Sequence, residues 1–168
     1  MVRNLVTMLV VLAAILPSAA KMRGPSTAEE RNRVLDYVRS LEENPLAKDS
    51  LDKRMWLTQW IVEVPDVQVN ACCMSLWELD KVNNTYSNQL RMQAIYSQAA
   101  FMLEHPEVKD EAAAQAAGLA GTLRAYRAIQ RFDPAAKYPL LDNLLTLEKK
   151  GKLEKYVQKQ NKSKKLKS

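Results

Sequence analysis

Two cysteines, Cys72 and Cys73, stand side by side in the stretch VNACCMSLWELD, and they are the only thiols of the chain. Met74 follows directly, so three soft sulfur atoms sit in a row, a donor set that suits copper(I). The same spacing is poor for a tetrahedral zinc site, and a single histidine, His105, is available to support one. Neither C-x-x-C nor C-x-x-C-H occurs, which removes thioredoxin-like redox chemistry and c-type haem attachment. A bridge between neighbours is strained. Their Cα atoms lie about 3.8 Å apart, below the roughly 4.4–6.8 Å of ordinary disulfides. On a helix the two side chains diverge by about 100°, so one can face a core while the other points away. Four readings stay open: small apolar side chains with at least one buried, a vicinal disulfide, an intermolecular disulfide, and a soft-metal site at Cys72, Cys73 and Met74.

A second group of candidates is acidic. Glu63 and Asp66 flank Pro65 in VEVPDV. Paired carboxylates do acid–base work when burial splits their pKa values, and that is the one route to a hydrolase in this sequence. The alternative is a solvated turn in which Asp66 caps or bonds its own backbone. His105 precedes Pro106 at a helix end, where an imidazole favours the negative end of the dipole. Patterns such as G-x-S-x-G, H-E-x-x-H or a Gly-rich phosphate loop are missing. No catalytic residue and no cofactor is therefore assigned.

The third group is basic. From Lys149 to Lys167 nine lysines face one acid, Glu154, while the rest of the chain balances slightly acidic. The default reading is a solvated, disordered end that frays; the next makes Lys162, Lys164 and Lys165 candidates for attraction to an anionic lipid, a wall polymer or an acidic partner. Nucleic acid is not expected, since Tyr156 alone could stack a base there.

The elements that must carry these residues are helices. Only four glycines occur in 168 residues, too few for many tight β-turns. S-T-A-E at Ser26 reads as a capping box, followed by Val34, Val38 and Leu41 at helical spacing and stopped by Asn44-Pro45. A second helix starts near Asp49 or Ser50. It places Trp56, Leu57, Trp60, Ile61 and Val64 on one wide face, which predicts a position near the centre of the core. Residues 66–70 read as an extended linker. A third helix is expected from about Asn70 to Val82, a fourth from Ser87 to Glu104, and a fifth over 110–132 with the highest propensity in the chain. Ala114, Ala117, Gly118 and Gly121 give that helix a small-residue strip for close packing. A sixth runs from Pro139 to Lys150, and KLEKYVQKQ adds a turn or two. The expectation is an all-α fold: an irregular bundle or short array of six or seven helices.

Two resemblances accompany this reading. RAYRAIQRFDPAAK, residues 124–137, resembles the second helix of a tetratricopeptide repeat with its closing Asp-Pro, although Ala128 to Pro134 runs one residue long. Pro45, Pro65, Pro106 and Pro134 show no period near 34 residues. WLTQWIVEVPDVQVNAC, together with YSQAAFMLEHPE, is similar to small uncharacterised secreted bacterial proteins. That similarity implies an all-helical chain and an exported address, with no activity to carry over.

The first twenty residues read as a secretory signal peptide. Arg3 supplies the basic start, Leu5 to Leu16 the apolar stretch, and Ser18-Ala19-Ala20 the cleavage site. About 12 apolar residues fall short of the roughly 20 that span a bilayer, so an integral membrane protein is not expected. The organisation read from the sequence is a leader at 1–20, a helical domain at 21–150 and a basic tail at 151–168. The expected protein is periplasmic or extracellular and binds or scaffolds another envelope or secreted protein. Thiol or copper binding at Cys72-Cys73 is the alternative, with a carboxylate hydrolase behind it.

Overall fold

The computed structural model describes residues 23–70, 74–81 and 85–165. The expected leader, Cys72 and Cys73 lie outside the described residues. Within them the chain is all-α, with no strand: α1 (Ala28–Glu43), α2 (Ser50–Glu63), a short 3-10 helix (Met74–Lys81), α3 (Ser87–Glu104), α4 (Glu111–Phe132), α5 (Pro139–Lys149) and α6 (Leu153–Lys165). None of these helices is long and apolar enough to cross a membrane.

Capping chemistry sets three of the boundaries. The capping box of α1 sits one residue later than S-T-A-E suggests. Thr27 caps, accepting the Glu30 N–H, while the Glu30 carboxylate accepts the Thr27 N–H. T-A-E-E satisfies the same pattern, and Ser26 is occupied elsewhere. Its N–H and hydroxyl both go to Asp66, at 2.8 and 2.7 Å. Asp110 caps α4 by accepting the Ala112 N–H. Gly151 ends α5 at φ 63°, a left-handed conformation that costs glycine little. The N–H groups of Gly151 and Lys152 return to the carbonyls of Glu148 and Leu147, completing a Schellman motif.

The centre of the molecule is α4, packed along α3 and flanked by α1, α5 and α6. Leu119, Leu123, Tyr126 and Ile129 are fully buried against Leu90 of α3, Leu141 and Leu144 of α5 and Val157 of α6. A second cluster joins Val34, Val38 and Leu41 of α1 to Leu57 and Trp60 of α2 and Tyr96 of α3. Since α3 contributes to both clusters, it couples them. The small-residue strip is the contact between α3 and α4. A Cβ on Gly118 would lie 2.5 Å from the Ala94 carbonyl oxygen, and one on Gly121 would lie 1.9 Å from Ser97 Oγ. Glu42, only 7% exposed, enters the same seam. Its carboxylate receives two bonds from Arg124, at 2.6 and 2.8 Å, and one from Ser97 Oγ at 2.7 Å. That bidentate pairing holds the Arg124 guanidinium above its usual pKa.

Three expectations are corrected. Where the third helix is described, over Met74–Lys81, it is 3-10 rather than α, and Asn70 is not helical. The chain after Gly151 forms thirteen residues of helix, because Leu153 and Val157 reach the main core and Asn161 bonds Gln115 at 2.8 Å. Finally, α2 is peripheral. Its tryptophans seat it on α1, where Trp56 meets Tyr37 edge-on at 5.4 Å and stacks with Trp60 at 6.4 Å.

Candidate functional site

The two carboxylates of VEVPDV have different partners, each in the N-terminal lead. Glu63 accepts from Gln59 at 2.8 Å and from Arg23 at 3.3 Å. Arg23 is also paired with Glu30, so the lead is fixed from Arg23 onward. Asp66 accepts both Ser26 donors, and Arg31 approaches it at 3.4 Å. Burial pushes the Asp66 carboxyl upward, but the Ser26 hydrogen bonds and Arg31 outweigh it and hold the pKa below the usual carboxylate value. A general acid needs the opposite shift. The lowered pKa keeps Asp66 ionised at neutral pH, as an acceptor for Ser26 and a partner of Arg31.

Asp66 also stands at the rim of a cleft of about 360 Å³ between the start of α1, the linker at Val67, the end of α3 and the start of α4. Met102, Leu103, Val108 and Ala114 form apolar walls, and Gln98 lines it from α3. His105 lies on the same rim, half exposed, with its ring 4.6 Å from Phe101. Nothing in the sequence distinguishes Gln98 from the other polar residues of α3. It packs against a neighbour 20 positions away, Gly118, where a Cβ would lie 3.4 Å from Gln98 Cβ.

Two helix faces complete the candidates. Met74 opens the 3-10 helix, so of the three sulfur candidates only its backbone is described. Lys162 is exposed on α6, and Lys164 and Lys165 lie in the same helix. At 100° per residue, Lys152, Lys155, Lys159 and Lys162 fall within about 80° of one another. All four are exposed, and they project away from the buried Leu153 and Val157.

The outer face of α2 is apolar. Leu51, Met55 and Val62 are 63, 64 and 80% exposed. Around the helix they point within about 40° of one another, and roughly opposite to the buried Leu57 and Trp60. So α2 is apolar on two faces, of which the fold covers one. The sequence contains this stripe, yet the tryptophan face dominates any amphipathic reading of the segment.

No protein-family model, curated protein or solved structure matches the chain.

Proposed function

We propose that the chain is an exported, non-catalytic helical module that binds another envelope or secreted protein through the outer face of α2. One observation carries the reading: three large apolar side chains form one exposed stripe on a helix whose opposite face already meets the core. Large exposed apolar side chains grouped on one helix face mark association sites more often than single scattered ones do. The leader-like composition of the first twenty residues supports export. A photo-crosslinking residue placed at Val62 is expected to give one discrete, reproducible adduct in the native envelope. The same residue at exposed Asp36 of α1 serves as control, and Met55→Glu should remove the Val62 adduct. Equal labelling from both positions, or no adduct at Val62, defeats the proposal.

The lysine face of α6 favours a second reading, attachment to an anionic surface. Each lysine near an anionic bilayer contributes about 1 kcal/mol, and salt weakens it. Sedimentation with phosphatidylserine vesicles at low salt, lost on Lys155→Gln/Lys159→Gln/Lys162→Gln, is the expected outcome. Equal sedimentation of that variant excludes it.

A further inference from the structure

The outer stripe of α2 ends beside the point where the N-terminal lead is fixed. Val62, at the C-terminal end of the stripe, is followed by Glu63, which accepts from Arg23 at 3.3 Å, and Arg23 also pairs with Glu30. Residues 17–22 separate Arg23 from the apolar run Leu5–Leu16, which contains no charged residue. Six residues extend to about 20 Å, twice the roughly 10 Å width of a helix, so the run can reach the outer side of α2. From Leu51 to Val62 the stripe is about 16 Å long, and twelve residues in helical form measure about 18 Å. With Leu16 set at Val62, Leu5 falls at Leu51, and Arg3 falls beyond it, towards exposed Asp52 in the first turn of α2. Length, polarity and terminal charge agree in that one direction, parallel to α2.

We infer that the run Leu5–Leu16, while still attached, occupies the outer face of α2 and covers Leu51, Met55 and Val62. This builds on the reading of that face as a partner site and adds what keeps it closed before the leader is removed. Three side chains on one helix fall short of the roughly 1,200 Å² that a stable pair of chains buries, so a second copy is the weaker occupant. A tethered segment needs less, because a short linker holds it at about millimolar effective concentration. Hydrolysis of the Ala20–Lys21 bond by a leader peptidase cuts the tether, water leaving a carboxylate on Ala20 and an amine on Lys21. The run then loses its effective concentration, and the face opens to the partner.

The test uses the full chain, made by cell-free synthesis without membranes so that the leader stays attached, with a photo-crosslinking residue at Val62. Mass spectrometry is expected to join position 62 to residues 5–16 of the same chain, in a yield unchanged by dilution. The same residue at Asp36 should give no such adduct. Met55→Glu should lower the yield about tenfold, the loss of one apolar contact. Leu9→Asp/Leu12→Asp should do the same and leaves the helical domain unaltered, so it decides if Met55→Glu does not fold. Four outcomes overturn the inference: no adduct to residues 5–16, a yield that falls with dilution, an equal yield from Asp36, or a yield that survives Leu9→Asp/Leu12→Asp. The partner adduct is read separately, on the chain that begins at Lys21. Its loss there defeats the partner reading and leaves the covering intact, whereas loss of the adduct within the full chain defeats the covering alone.

Discussion

The seam between α3 and α4 and the contact of α2 with α1 bury their residues in opposite ways. In the seam, glycine and alanine bring two backbones together, so the Ala94 carbonyl lies within 2.5 Å of the place a Gly118 Cβ would take. In α2, two tryptophans cover the core with large rings and hold the helix at its edge. Large apolar side chains therefore do not identify the central helix. Centrality follows from how many neighbours a backbone can admit, and small residues admit more. A helix built of small residues has nothing large to expose, whereas one built of large residues can be apolar on both sides, as α2 is.

The largest expected effect breaks the seam. In Gly121→Ala the new methyl falls 1.9 Å from Ser97 Oγ and 2.5 Å from Glu42 Oε1. Alanine gains up to about 1 kcal/mol of helix propensity over glycine, but overpacking and displacement of the buried carboxylate act against it. A net loss of about 3 kcal/mol is expected in urea denaturation. Unchanged stability would mean that α3 and α4 are not in this close contact.

The two faces of α2 give the next contrast. Leu57→Ala opens a cavity under a fully buried residue and should cost about 3 kcal/mol. Met55→Ala, on the exposed opposite face, should stay within about 0.5 kcal/mol. Similar losses for the two would place the outer face inside a contact and leave nothing for a partner to cover. A smaller test addresses α6. Val157→Ala, at 0% exposure, should lower stability by about 2 kcal/mol, whereas no loss would return residues 153–165 to the status of a solvated tail.

Helical class, several helix ends and the small-residue strip were legible because each rests on local chemistry: Pro and Asp-Pro stops and the glycines of 110–132. What was not legible depends on contacts distant in sequence. Ser26 cannot be recognised as a partner of Asp66 from 40 residues away, so the capping box is assigned to the wrong residue of the pair Ser26-Thr27. The helix after Gly151 reads as a fraying end because lysines dominate it, and only Leu153 and Val157, four apart, signal burial. Glu63 and Asp66 were visible as a pair of acids, but what each one binds was not. Gln98 gave no signal at all, since its burial is a property of the space above Gly118.

The smallest effect concerns what keeps the edge of the molecule in place. If α2 is held on one side by tryptophans, its end is held by the Asp66–Ser26 clasp, in which one carboxylate takes both Ser26 donors. Asp66→Asn leaves one acceptor oxygen for two Ser26 donors and removes the charge opposite Arg31, so a loss of about 1 kcal/mol at pH 7 is expected. The folded-state pKa of Asp66 lies below its unfolded value of about 3.9. Its contribution is therefore present above pH 4 and is lost as pH falls through the folded pKa, because the unfolded chain takes up the proton first. Urea denaturation at pH 7, 4 and 2.5 should show the difference between Asp66→Asn and the unaltered protein narrowing over the last interval. A difference that stays constant down to pH 2.5 would assign the loss to the geometry of the turn and not to the carboxylate.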